Sequence, residues 1–213
     1  MKKIFLLVTY FPTLFFSQGV YQDFGTWIKL NSNFKIDKKT SITNKTEVRT
    51  FDNSQQINQI YTQFSYDKDL NKQISTSFAW RSKFINDEFS YVNSNRFHND
   101  IIFQNKYSNF KIYFRIRSQY HIHPFNENDW VERTRLKVKY KLSKKLSYYL
   151  YNEFYFSIDN ESLNRYTKNR FGTGLKYNLN KQTKLELKYL KINDVNIEFP
   201  ISLNIIGFKI SNQ

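Results

Sequence analysis

The chain has 213 residues, with 33 Lys and Arg against 18 Asp and Glu, no cysteine and a formal charge of +15. That length suits one domain, and the missing cysteines exclude disulfides, thiolate metal sites, a Cys nucleophile and a lipid-modified Cys. Aromatics make up 19% of the residues while the mean hydropathy is −0.66, a mixture that excludes a solvated low-complexity chain and suits strands with one apolar and one wet face.

Lys2 and Lys3 precede an apolar run from Ile4 to Phe16 and then Ser17-Gln18, the charged-then-apolar order of a secretory signal peptide. The expected cut is after Ser17, although Phe15 at the third position before it is bulkier than usual. The run contains Pro12 and is shorter than the roughly 20 residues a spanning helix needs. Residues 18 to 213 then form a single domain.

After that segment the chain alternates apolar and polar residues with period two, separated by turn signals. Strands are expected at 26–36, 40–51, 57–67, 72–84, 96–107, 110–120, 131–141, 146–157, 168–179, 183–192 and 201–211. Within 110–120, Ile112, Phe114, Ile116 and Tyr120 oppose Lys111, Tyr113, Arg115, Arg117 and Gln119. Within 131–140, Leu136, Val138 and Tyr140 oppose Arg133, Arg135, Lys137 and Lys139.

Short turns are expected at 37–39, 70–72, 108–109, 143–145 and 180–182, with longer polar loops near 51–56, 85–95, 121–130, 158–167 and 193–200. Short turns at one rim and long loops at the other describe an antiparallel up-and-down outer-membrane β-barrel. Such barrels usually have an even number of strands. With residues 18–25 adding a short one to the eleven segments, the expected count is about twelve, with ten as the alternative.

The order and spacing of several fragments resemble the domain of unknown function 2490 family. They are Trp27, Glu47-Val48-Arg49, Arg115-Ile116-Arg117, Glu132-Arg133-Thr134-Arg135, Glu153-Phe154, and Asn169-Arg170-Phe171 before Gly172 and Gly174. The resemblance implies an exported bacterial outer-membrane barrel and brings no catalytic residue, ligand or cofactor with it.

If the apolar faces meet lipid, the lumen holds a charge network of Glu47, Arg49, Arg81, Arg96, Asp100, Arg115, Arg117, Arg133, Arg135, Lys137, Glu153, Arg170 and Lys176, joined by Lys83, Lys139, Glu186 and Lys188. In a small barrel such charges mainly fill the interior as a hydrogen-bonded network. The alternative is a narrow anion-selective pore or a barrel that binds an anionic solute. Partners follow from this reading: outer-membrane lipid, the barrel-assembly machinery and small anions, with no nucleic acid, because the basic residues are spread along every segment instead of clustering.

Two further classes remain open, an outer-membrane hydrolase and a soluble exported polyanion-binding β protein. No Gly-x-Ser-x-Gly, Gly-rich phosphate loop or His-Glu-x-x-His occurs. The three histidines read as a lumen residue, His98 beside Asp100, and a loop pair, His121 and His123, without a third metal ligand in view. Trp27, Trp80, Tyr107, Trp130, Tyr140, Tyr155, Tyr166 and Tyr177 are candidates for interfacial girdles.

Overall fold

A computed structural model describes residues 21–87, 90–125, 127–158 and 166–212. The expected signal peptide, residues 1 to 17, and its cut lie outside the described residues. The described residues form eleven strands: β1 (Tyr21–Lys35), β2 (Thr40–Phe51), β3 (Gln56–Asp69), β4 (Ile74–Asp87), β5 (Ser90–Tyr107), β6 (Phe110–Ile122), β7 (Asp129–Lys141), β8 (Leu146–Ser157), β9 (Tyr166–Asn178), β10 (Thr183–Asp194) and β11 (Ile201–Asn212).

Each strand pairs with its neighbours in sequence, and β1 closes the barrel on β11. Every segment expected from the alternation becomes one strand. The described barrel closes at eleven, between the ten and twelve expected, because residues 21–25 lengthen β1 and do not make a strand of their own. Strands that alternate in direction leave the first and last of an odd set pointing the same way. The closing pair is therefore parallel, in register from Tyr21↔Ile201 to Ser32↔Asn212.

Four of the five turns at one rim share a sequence and a geometry: Ile36-Asp37-Lys38-Lys39, Leu70-Asn71-Lys72-Gln73, Leu142-Ser143-Lys144-Lys145 and Leu179-Asn180-Lys181-Gln182. In each, the short polar side chain accepts the backbone N–H groups two and three residues later, at 2.6 and 2.7 Å for Asp37, 2.8 and 2.8 Å for Asn71, 3.2 and 3.0 Å for Ser143, and 2.8 and 2.6 Å for Asn180. Such side chains mimic a backbone turn, and the Lys39 N–H holds the Asp37 carboxyl below its ordinary range. The fifth turn is Ser108-Asn109, with Ser108 at φ 52°.

At the opposite rim the strands rise further than the loop signals imply. β4 runs to Asp87 and β5 starts at Ser90, so most of the loop expected at 85–95 is strand. The connection at 52–55 puts Asp52, Asn53 and Ser54 at positive φ, a conformation side chains seldom adopt. Asp23 at the top of β1 offsets that cost: its carboxylate accepts the N–H groups of Phe24, Asp52 and Asn53 at 2.7, 3.0 and 2.9 Å.

Side-chain parity turns the usual interior inside out. Among the described residues forty-five large apolar side chains are exposed, against nine buried hydrophobic residues, and most of the buried side chains are polar or charged. The small apolar core, Trp27, Tyr149, Tyr151, Leu190, Ile192 and Ile205, lies inside the barrel along β1, β8, β10 and β11.

Candidate functional site

A chamber of about 650 Å³ occupies the lumen, lined by fifteen Lys and Arg and four Asp and Glu. A second cavity of about 740 Å³ opens at the short-turn rim and shares Asp67, Ser77 and Ile102 with the first. One wall of the chamber carries most of the aromatic rings, the other most of the arginines.

The aromatic wall rests on glycine. Tyr149 faces Gly174 and Tyr151 faces Gly172 across the β8–β9 pair, and each ring lies where a Cβ on the glycine would stand, 2.8 Å from Tyr149 Oη and 2.3 Å from Tyr151 Cζ. These two rings lie over the missing side chains, and with Tyr155 and Trp27 they form a floor for cations. Lys137 Nζ is 3.8 Å from the Tyr149 centroid, Arg133 Cζ 4.1 Å from that of Tyr155, and Arg49 Cζ 3.7 Å from that of Trp27.

Part of the charge neutralises itself. Glu153, 1% exposed, pairs with Arg115, accepts from Arg133 Nη2 at 2.7 Å and lies 3.7 Å from Arg170 Nη1. Tyr155 Oη donates to the same carboxylate at 3.3 Å. Asp100 takes a two-pronged bond from Arg117, Nε to Oδ1 at 2.5 Å and Nη2 to Oδ2 at 2.7 Å, and sits 3.7 Å from Arg115 Nη1. A second cluster joins Glu47 to Lys29 and to Arg49, whose Nε is 2.5 Å from Oε1. Paired, hydrogen-bonded charges of this kind are the form in which burial is tolerated.

The other part stays uncompensated. Arg81 and Arg96 face each other directly across β4–β5, both buried. Arg81 donates to the amide oxygen of Gln63, at 3.0 Å from Nε and 2.7 Å from Nη2, and stacks 3.6 Å over Tyr61. Arg96 Nε and Nη2 meet no hydrogen-bond partner among the described residues. Among the described residues neither guanidinium lies within ion-pairing distance of a carboxylate, and Lys83 lines the same part of the chamber.

Of the expected network, Arg115, Arg117, Arg133, Arg170, Asp100 and Glu153 are brought into one cluster, and Glu47 and Arg49 into another. Arg81 and Arg96 form the unpaired couple. Among the described residues Arg135 and Lys137 line the chamber without an ion pair to either acid cluster, and Lys176 stands outside it, opposite Glu186. The alternation missed Lys29, Lys45, Lys168 and Lys209, which also line the chamber, though Lys29 shares its parity with Trp27.

Two aromatic assignments change. Trp27 and Tyr155 point into the lumen, 6% and 8% exposed, not to the girdles, because each has the parity of an inward charge, Lys29 and Glu153. The loop histidines gain a third partner, since Asp129 at the start of β7 lies beside both. His98 points inward, 3% exposed, away from the outer face on which a lipid-boundary hydrolase needs its base.

A closed, up-and-down β-barrel with charges gathered inside and apolar side chains outside is the class these features define. The chain belongs to the family described as "Protein of unknown function (DUF2490)", whose model matches residues 24–198. No curated protein matches it. The fragments that carry the resemblance come from six strands, and contacts join Trp27, Arg49, Arg170 and Glu153 from four of them inside the lumen.

Proposed function

We propose that this protein is an outer-membrane β-barrel that captures small oxyanions in its arginine-lined chamber. The membrane half rests on the inverted burial: an apolar band of this extent on the outside of a barrel is costly in water and fits hydrocarbon. The short-turn rim supports it, for Ile36, Leu70, Leu142 and Leu179 are exposed beside Lys38, Lys72, Lys144 and Lys181. Aliphatic tips flanked by lysines suit an interface of acyl chains and phosphate headgroups.

The observation that carries the anion half is the Arg81–Arg96 couple. Two buried guanidiniums face to face without a carboxylate need negative charge from elsewhere, and their planar forks match an oxyanion with two or more oxygens. The Glu153 cluster is structural by contrast, since its arginines already share the carboxylates of Glu153 and Asp100.

Fractionation tests the first half: the folded chain should sit in the outer membrane as a detergent-extracted band whose mobility changes on heating, and a freely soluble periplasmic protein would contradict this. Equilibrium dialysis tests the second. The detergent-solubilised barrel should retain labelled phosphate and exclude rubidium, and retention of neither would refute capture.

A further inference from the structure

We propose that His121, His123 and Asp129 form a site for a divalent transition metal at the rim where β6 passes into β7. One donor atom from each residue lies within 4.8 Å of the others. Asp129 Oδ1 is 3.1 Å from His121 Nδ1 and 2.6 Å from His123 Nε2. The two rings stand at 86° with centroids 5.7 Å apart, so they approach the carboxylate from different directions.

Backbone structure sets this arrangement. His121 and Asp129 are directly paired across β6–β7, and the His123 N–H donates to Asn128 Oδ1 at 3.1 Å, which draws the third residue back over the pair. Around one ion, at roughly 2.1 Å from each ligand, tetrahedral donors stand about 3.4 Å apart. The Asp129–His123 distance must therefore open by less than 1 Å, and both side chains are partly exposed and able to turn. Without metal, the shared carboxylate oxygen keeps the imidazoles converged.

The donor set selects the ion. Two imidazoles and one carboxylate suit zinc, copper, nickel or cobalt, whereas calcium and magnesium need more oxygens. Arg96 stands opposite His121 across β5–β6, so binding has to come from imidazole coordination and not from net negative charge. His121 also lines the chamber, and three protein ligands leave a fourth position for water or an anion.

The test uses the full barrel, folded in detergent and stripped of metal, titrated calorimetrically with Zn²⁺ and spectroscopically with Co²⁺. One ion per chain is expected, with a visible Co²⁺ spectrum of low coordination number. His123→Ala and Asp129→Asn should each weaken uptake by about tenfold or more, given that even outer-shell partners are worth 10- to 100-fold. Both variants must keep the heat-dependent mobility shift that marks a folded barrel. Absence of saturable uptake by the folded parent protein overturns the proposal, and so does uptake that both substitutions leave unchanged.

Discussion

The Tyr151 ring occupies the space a side chain would take on Gly172, the residue directly opposite it, with Cε1 and Cζ 2.3 Å from an ideal Cβ there. A glycine was needed at this position for ring clearance and not for backbone freedom, since no glycine of the chain has a positive φ among the described residues. Gly172→Ala should lower unfolding stability by about 1–3 kcal/mol, the usual cost of overpacking. In a Tyr151→Ala background the same change should cost little. Urea unfolding of the four variants measures the coupling, and additive effects would show that the ring is not the obstacle.

The two kinds of lumen charge predict opposite responses. Glu153→Gln strips Arg115, Arg133 and Arg170 of their shared carboxylate and should destabilise by about 3 kcal/mol, as expected when one member of a buried network is removed. Arg96→Gln removes a cation that faces Arg81 and should stabilise by about 0.5 kcal/mol, the scale of like charges directly opposed across strands. Unfolding at low salt in a buffer free of oxyanions reads both, and the difference between them should shrink when phosphate is added.

The repeated turn predicts equal effects at distant positions. Asn71→Ala and Asn180→Ala each remove an acceptor shared by two backbone N–H groups, and each should cost about 1 kcal/mol. Asp37 adds a pH dependence of known sign. Its folded-state carboxyl is depressed by the Lys39 N–H, so its contribution is present above the unfolded-state value and is lost as pH falls through the folded one. Asp37→Asn should flatten that part of the acid-unfolding profile.

Phe114 lies on the outer face of β6, two residues from the strand's midpoint at Ile116. If the outer face meets lipid, as proposed, Phe114→Arg should destabilise the barrel by about 2–4 kcal/mol, the depth-dependent cost near the bilayer centre. An exposed Phe in water would give a change near zero, so the measurement in lipid vesicles separates the two environments.

Much of this fold is legible in the sequence because strand parity and turn chemistry are local. The period-two alternation marks all eleven strands, and Asn71, Ser143 and Asn180 announce their turns through their own side-chain chemistry. What is not legible depends on register. Trp27 and Tyr155 resemble girdle residues until the parity of Lys29 and Glu153 is followed across the sheet. Arg81 and Arg96 confront one another only because β4 and β5 continue through a segment whose composition reads as loop. Asp129 joins the histidines across a loop whose path the spacing alone does not set. The closing parallel pair follows from the odd strand count, which a single strand more or less would have reversed.

Selenate is a direct probe of the oxyanion seat proposed between Arg81 and Arg96, because it replaces sulfate and scatters anomalously. Crystals of the folded barrel grown with selenate should show an anomalous peak between the two guanidiniums, absent from crystals of Arg81→Gln/Arg96→Gln. Selenate peaks confined to the outer surface, with none between Arg81 and Arg96, would contradict the account.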